Sequence, residues 1–377
     1  MPRGRASKTS TLFFPSRGRA SKCIDITQTL LRIDFHQVGY MTVTIYDVAK
    51  KAGVGIGTVS RAINNSPNIT PETKAAVMTA IKELHYQPHA LAQGLARKKT
   101  HMIAVILPVF TGYFYLELLK AIQREASTHG YDLILYSVDQ TDKTDVFLRR
   151  TLQEKRVDGV LLISLKISDK FADRFVNSSI PIVLVDHHHS QLDSIYVENN
   201  RGAYDATAHL IKLGHKKIGI IDAHLRSIPA QTRLEGYRQA LSDADLPVVN
   251  AYMIIGEHAS EVDGFNREAG YDAMHHLLSL PDPPSAVFVA SDVQAAGAVQ
   301  ACREAGLHIP DQMAIVGFDD IEIAHYLGLS TMHQPLDEMG SLAFIRLLER
   351  MTNPDLDVLQ KVYSTQLVVR NTCGGKR

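Results

Sequence analysis

Residues 44–64 read TIYDVAKKAGVGIGTVSRAIN. The spacing predicts two short helices joined by a tight turn, the helix-turn-helix that lays a helix in the major groove of DNA. Thr44 and Asp47 stand three apart, as in a capping box with Asp in place of the usual Glu. Ile45, Val48 and Ala49 recur at helical spacing on one face. Gly53 supplies the turn, where a positive φ would penalise a larger residue. A second helix runs from about Gly57 to Ile63, with Val59 and Ile63 facing inward. Thr58, Ser60, Arg61 and Asn64 fall on exposed faces, and those residue types suit base edges and phosphates. The glycines of GVGIG, residues 53–57, also mimic a dinucleotide fingerprint. That fingerprint follows a buried strand, whereas here YDVAKKA, a polar-faced helix, precedes it.

Downstream, Thr70 and Pro71 read as the N-cap and first residue of a third helix. Val77, Ile81 and Leu84 follow at helical spacing and would close a small three-helix core. Then comes HYQPHALAQGLARKKT, residues 85–100. A helix over its middle would be marginal alone, because nucleation is unfavourable and Gly94 costs about 1 kcal/mol relative to Ala. Leu91 and Leu95 nevertheless share a face, with Ala92 beside them, and two copies facing each other would bury it. A plain flexible linker is the alternative reading.

The pattern D-V-A-x-x-A-G-V-x-x-x-T-V-S-R, followed by Y-x-P-x-x-x-A-x-x-L, resembles the headpiece and hinge of the lac repressor family of bacterial regulators. The resemblance continues to about residue 370. It implies DNA contacts from Thr44, Tyr46, Gly55, Ile56, Gly57, Thr58, Ser60, Arg61, Asn64, Thr73 and Tyr86 in the headpiece. From the hinge it implies contacts by His89, Ala92 and Leu95, with Leu95 wedged into the minor groove. Base reading falls to Thr58, Ser60, Arg61 and their neighbours, while Tyr46, Asn64 and Thr73 favour phosphates. The chain departs from the family's commoner pattern where the recognition helix starts. Gly57 can read nothing, and Ile56 can only touch a thymine methyl or exclude a base by shape. Gly55 replaces the usual Ser cap at a cost of only a few tenths of a kcal/mol.

The 377 residues exceed one domain's worth, and 45% hydrophobic with 21% charged is ordinary globular composition. No window holds 18 consecutive apolar residues, so the sequence offers no membrane span. Cys23, Cys302 and Cys373 are few, odd in number and far apart, which suits a reducing compartment and neither a disulfide framework nor a zinc site. The net charge of zero hides an asymmetry. Residues 1–40 hold 7 basic and 2 acidic side chains, and residues 41–100 hold 8 and 3. The remainder carries 25 basic and 35 acidic, so a basic front precedes an acidic body, as expected of a DNA-binding module on a ligand-binding domain. RGRASK occurs twice within residues 1–40. That extension reads either as a disordered basic arm or as sequence upstream of a translation start at Met41.

From residue 101, apolar β-rich runs alternate with helix-length segments: 102–107, 131–136, 159–163, 181–186, 217–222, 286–290 and 314–318. Continuous apolar strands bounded by helices mean parallel sheets covered on both faces, here two of them, each doubly wound. The fold expected is an N-terminal all-α helix-turn-helix headpiece with a hinge helix, then an α/β periplasmic-binding-protein-like core of two doubly wound lobes. The boundaries read as 41–87 for the headpiece and 88–100 for the hinge. By the family analogy, lobe one spans 101–198 and 334–362, and lobe two spans 199–333 and 363–377. A ligand would sit between the lobes at the carboxyl ends of the strands. The resemblance places effector contacts at Tyr113, Phe114, Asp186, Arg233, Asp292 and, more weakly, His258. Aromatic faces can stack on a sugar ring or base, and Arg with two Asp can grip hydroxyls.

Other groupings imply less. Adjacent His187, His188 and His189 on an extended loop point different ways and cannot easily share one ion. Asp319–Asp320 could be a catalytic carboxylate pair, but the resemblance gives that strand end a structural role. No phosphate loop, nucleophile elbow or H-E-x-x-H appears, so neither an enzyme nor a metal or cofactor site is expected. The reading is a cytoplasmic regulator, dimeric or tetrameric, that binds near-palindromic operator DNA under control of a small effector. A sugar is favoured; YF at 113–114 and MHQP at 332–335, which resemble the purine repressor branch, make a purine or nucleoside the alternative. A periplasmic sugar-binding protein would share the lobes but would need a signal peptide and no basic headpiece.

Overall fold

The computed structural model describes residues 43–64, 66–86, 99–108, 112–138, 144–154, 156–256 and 264–375. The extension 1–40, the hinge residues His89, Ala92 and Leu95, and His258 lie outside them. The chain divides into two units, 1–88 and 89–377.

In the first unit, α1 (Ile45–Ala52), α2 (Ile56–Ile63) and α3 (Pro71–Glu83) enclose a small core. Asp47 Oδ2 accepts from the Thr44 backbone N–H at 2.8 Å and from its hydroxyl at 2.7 Å. These two bonds hold the Asp47 carboxyl below the usual range. Gly53 ends α1 at φ 67°, the left-handed conformation the turn requires. Gly55 caps α2, so that helix starts one residue before the sequence spacing placed it. Thr70 Oγ1 accepts from the Thr73 N–H at 3.3 Å at the start of α3. Val48, Val59 and Val77 are fully buried, one from each helix, with Ala49, Ala62 and Ala80 between them. Small side chains at the crossings let three short helices approach closely enough to share so small a centre.

The second unit holds two six-stranded sheets among the described residues. The first runs in the order β11 (Gln360–Tyr363), β5 (Asp193–Val197), β4 (Ile182–Val185), β3 (Gly159–Ile163), β1 (Met102–Leu107), β2 (Asp132–Ser137). The second runs β12 (Gln366–Val368), β10 (Ser330–His333), β9 (Ala314–Asp319), β8 (Ala286–Val289), β6 (Ile218–Asp222), β7 (Met253–Ile255). Pairing is parallel throughout, apart from antiparallel β12 against β10. The chain passes between the sheets three times: after β5, after β10 and after β11.

Burial on both faces explains the unbroken apolar strands. Leu161 and Ile163 of β3 enter one core of the first sheet, while Val160 and Leu162 enter the core on its other side. Phe288 and Val287 of β8 divide the same way in the second sheet. The helices that cover the sheets are α4 (Tyr113–Thr128), α5 (Thr144–Glu154), α6 (Asp169–Val176), α7 (Asn199–Lys212), α8 (Ile228–Asp243), α9 (Arg267–Ser279), α10 (Asp292–Glu304), α11 (Glu322–Leu327) and α12 (Leu336–Thr352). Two helix pairs meet without side chains between them. A Cβ on Gly236 of α8 would overlap the Asn200 carbonyl of α7, and one on Gly297 of α10 would overlap that of Arg267 in α9. A buried ionic knot pins α12 to β5: Asp193 takes Arg346 at 3.1 Å and Arg350 at 2.9 Å.

Candidate DNA-reading surface and ligand cleft

On the headpiece, Tyr46 is 68% exposed, and Gly55, Ile56, Gly57 and Arg61 are also exposed. Thr58, Ser60, Asn64 and Thr73 are half-buried. The Arg61 guanidinium donates to Thr58 Oγ1 at 3.3 Å, which ties two of the base-reading candidates together on α2. Asn64 Nδ2 reaches Ser60 Oγ at 3.5 Å, and the Thr73 hydroxyl pairs with Thr70 at 3.0 Å. Space around Gly55 and Gly57 is open to 4 Å, so the start of α2 presents backbone and the Ile56 side chain alone. Tyr86 packs against the headpiece core, a contact the sequence reading did not assign it.

In the second unit a cavity lies between the sheets, at the carboxyl ends of their strands. The first sheet side contributes Tyr113 and Phe114 at the start of α4, Ser164 after β3 and Asp186 after β4. The second contributes Pro229, Arg233, Phe265, Ser291 and Asp319. The free space amounts to about 40 Å³. Tyr113 is 49% exposed, and Phe114 meets Tyr115 edge to face, with ring centroids 5.3 Å apart.

Arg233 is the centre of the cleft. It is 3% exposed, and its Nε donates to Asn199 Oδ1 at 2.9 Å. A terminal nitrogen donates to the Ala290 carbonyl, and the other lies 3.8 Å from Asp319. The Phe318 ring covers the guanidinium with its centroid at 3.8 Å. Opposite, Asp186 accepts from Ser164 Oγ at 2.7 Å, and burial pushes its carboxyl above the usual range. Ser164, Asp186 and Asp319 all line the cavity with φ of 51°, 58° and 115°, in the region that side chains disfavour. Backbone strain of this kind gathers at sites that hold ligands.

Asp292 lies elsewhere than the sequence reading placed it. Ser291 is the N-cap of α10, accepting from Gln294 N at 3.2 Å, and it is Ser291 and Val293 that line the cavity. The fully buried Asp292 accepts instead from Thr331 Oγ1 at 2.6 Å and from Ile321 N at 3.0 Å. It braces the ends of three adjacent strands behind the cleft. Asp319, read as structural, faces Arg233, and burial pushes its carboxyl up to about 7. Ser164 was missed, although the rule that selected Asp186 at a strand's carboxyl end applies equally to it. Among the histidines, His188 stacks on Tyr196 at 5.1 Å while His189 Nε2 lies 3.1 Å from Asp169.

Residues 44–89 match the family of bacterial regulatory proteins of the lacI type, and residues 207–373 match the periplasmic binding protein-like domain. The ribose operon repressor of Escherichia coli (strain K12) is 38% identical over 320 residues, 83% of this chain and 94% of its own. The HTH-type transcriptional repressor PurR of Haemophilus influenzae (strain PittEE) is 36% identical, covering 84% of this chain and 94% of its own. The crystal structure of the lac repressor dimer bound to operator and the anti-inducer ONPF superposes with a TM-score of 0.73 at 26% identity, over 88% of this chain and 98% of that one. A helix-turn-helix unit and a two-sheet cleft unit, in this order and matched across both by repressors, make this chain a member of the lac repressor family of bacterial regulatory proteins.

Proposed function

We infer that the protein is a sequence-specific DNA-binding transcriptional repressor whose operator affinity is set by a small ligand held in the cleft. The observation that carries this is one chain with an exposed recognition helix and, in its other unit, an Arg233-centred cavity between two sheets. Arg61, Thr58 and Ser60 would read bases, while Tyr46, Asn64 and Thr73 would hold phosphates. His89, Ala92 and Leu95 would act in the minor groove. Two copies would bind a near-palindrome, as two-fold symmetry demands. The lac repressor relative is a dimer on its operator, which supports a dimer here; a tetramer would need a further contact. Among the described residues no helix is long and apolar enough to cross a membrane; a DNA partner is what supports a cytoplasmic site of action.

For the effector, a sugar is the better reading. Arg233, Asp186 and Asp319 converge on the cavity and suit hydroxyls, and the 38% identical relative is a ribose operon repressor. A purine is the second reading, favoured by Tyr113 and Phe114 in the lining and by the PurR relative. The test is fluorescence anisotropy on a duplex obtained by in vitro selection, with and without D-ribose, other sugars, hypoxanthine and guanine. A ligand-dependent shift of about 5–150-fold in operator affinity is expected. Failure to bind any selected duplex at low salt would sink the DNA-binding reading.

A further inference from the structure

The chain enters the first sheet through Thr100 and His101, and a side chain from a neighbouring strand holds that entry. Asp158 stands immediately before β3. Its Oδ1 accepts from the Thr100 N–H at 2.7 Å and from the Thr100 hydroxyl at 2.8 Å. Its Oδ2 accepts from the His101 N–H at 2.8 Å. Its own N–H donates to the Met102 carbonyl at 2.8 Å, so one residue grips three in succession. Hydrogen bonds to a carboxylate are stronger than those between neutral groups.

The sheet itself does not need this clamp. β1 starts at Met102, pairs with β2 from there and pairs with β3 from Ile103, so its ladder is complete without Thr100 or His101. What the clamp fixes is the turn by which the chain arrives. His101 sits at φ 55°, a conformation that costs any residue with a side chain and persists only where its surroundings enforce it. Here Asp158 holds the His101 N–H, and the Asp132 N–H donates to the His101 carbonyl at 2.9 Å. The His101 ring lies against Tyr131, with centroids 5.3 Å apart, and Tyr131 meets the buried Phe344 of α12 edge to face. By the sequence reading the hinge ends at residue 100, so this is the point where it joins the sheet.

We propose that Asp158 is a positioning residue for DNA recognition. It fixes the direction in which the hinge leaves the first sheet, and so sets the half-site spacing that two copies accept. This rests on the DNA-binding reading above and deepens it. One base pair inserted between half-sites moves one of them by about 3.4 Å and turns it by about 35° around the duplex axis. A free chain of about a dozen residues spans about 20 Å root-mean-square and absorbs that displacement. A chain that departs at a fixed angle does not, so the misfit weakens binding.

The experiment is fluorescence anisotropy of the full chain on its selected operator and on versions with one or two base pairs inserted or removed at the centre. Wild type is compared with Asp158→Ala, which deletes the clamp. It is also compared with Asp158→Asn, which keeps an acceptor for Thr100 and turns a donor toward the His101 N–H. Tyr237→Phe is the stability control, since the Tyr237 hydroxyl donates to the Ile218 carbonyl at 2.8 Å in the core of the second sheet. Expected is a loss of at least about 30-fold per spacing change in wild type, reduced to within about threefold in Asp158→Ala and partly reduced in Asp158→Asn. Tyr237→Phe should melt lower and keep the wild-type discrimination. If Asp158→Ala does not fold, Asp158→Asn carries the same test. Undiminished discrimination in the Asp158 variants overturns the proposal and leaves DNA binding standing. So does a wild type that binds every spacing alike, or a control that relaxes as far as the Asp158 variants. A wild type that binds no selected duplex overturns the DNA-binding reading and this proposal together.

Discussion

Gln334 Nε2 donates to Asp319 Oδ1 at 2.7 Å, and its backbone N–H donates to the Asp319 carbonyl at 3.2 Å. Gln334 is the first residue after β10, where the chain leaves the second sheet for the first. A cavity-lining carboxylate is thereby tied to a strap between the lobes. Gln334→Ala should cost about 1–3 kcal/mol of core stability, because Asp319 loses a donor while buried. Ligand affinity should change less than the ligand's effect on operator affinity. Paired titrations of ligand alone and ligand on the DNA complex would check this; an unaltered ratio between them rules the strap out as a coupler.

Arg61 carries a separate expectation. Its side chain is exposed and donates to Thr58 Oγ1. Arg61→Ala should weaken operator binding by about 1–3 kcal/mol and relax preference at one base pair. Stability should stay within about 0.5 kcal/mol, as for an ordinary surface change. Anisotropy on single-base operator variants reads the first effect and urea melts the second.

Removing Arg233 acts in the opposite place. Arg233→Ala leaves Asp319 without its cation in a buried site, and the core should lose about 3–5 kcal/mol. Ligand response should vanish. Circular dichroism during urea unfolding gives the loss, and a normal ligand response in the variant would contradict the placement of the effector at this guanidinium.

The buried carboxyls make stability depend on pH. Asp222 and Asp319 titrate near 7 in the fold, against 3.8 for the free side chain. Folded, they keep protons that the unfolded chain releases. The stability from this source is complete below about pH 4 and is lost as pH rises to about 7. Asp193, held below the usual range by Arg350, Leu359 N and Arg346, works the other way and matters only in acid. Urea midpoints should therefore decline from pH 5 to pH 7.5, and Asp222→Asn should flatten the slope. A midpoint that climbs across this range is incompatible with buried protonated carboxyls.

At Gly236 the constraint is steric. A methyl group there would overlap the Asn200 carbonyl, so Gly236→Ala must push α8 off α7. A cost of about 1–3 kcal/mol or more is expected, visible as a lower melting temperature. Unchanged melting would mean the helices part freely.

Sequence pattern revealed the elements whose physics is local. The Thr44–Asp47 cap, the Gly53 turn and the Thr70–Pro71 start are chemistry within three or four residues, and all are present. Six of the seven apolar runs stand out because both faces of their strands are buried, while β2, at the sheet edge and half-exposed, stands out by composition alone. Strand β10 did not, since its Ser330 and Thr331 are buried for their hydroxyls: Ser330 Oγ accepts from Arg370 N, and Thr331 Oγ1 donates to Asp292. Polar burial of that sort has no periodic signature. Nor do β5, which opens on Asp193, or the three-residue β7. The site was legible where a strand end carries an obvious side chain, as at Asp186. Asp222 ends the run 217–222 and was given no role, while Asp319, just after the run 314–318, was set aside as structural on the resemblance. Asp292 was assigned to the ligand by resemblance, whereas in the fold its oxygens accept from Thr331 and Ile321, tertiary partners that no local pattern announces.

The narrowness of the space beside Arg233 has a temporal consequence. With about 40 Å³ of free space, far below the roughly 300 Å³ or more of a ligand pocket, the cleft would have to widen to receive a sugar. Uptake would then be gated by breathing of the fold, and the observed rate should level off with rising concentration at the opening frequency. How quickly transcription answers a nutrient is, on this view, a property of that gate, and diffusion has little say in it.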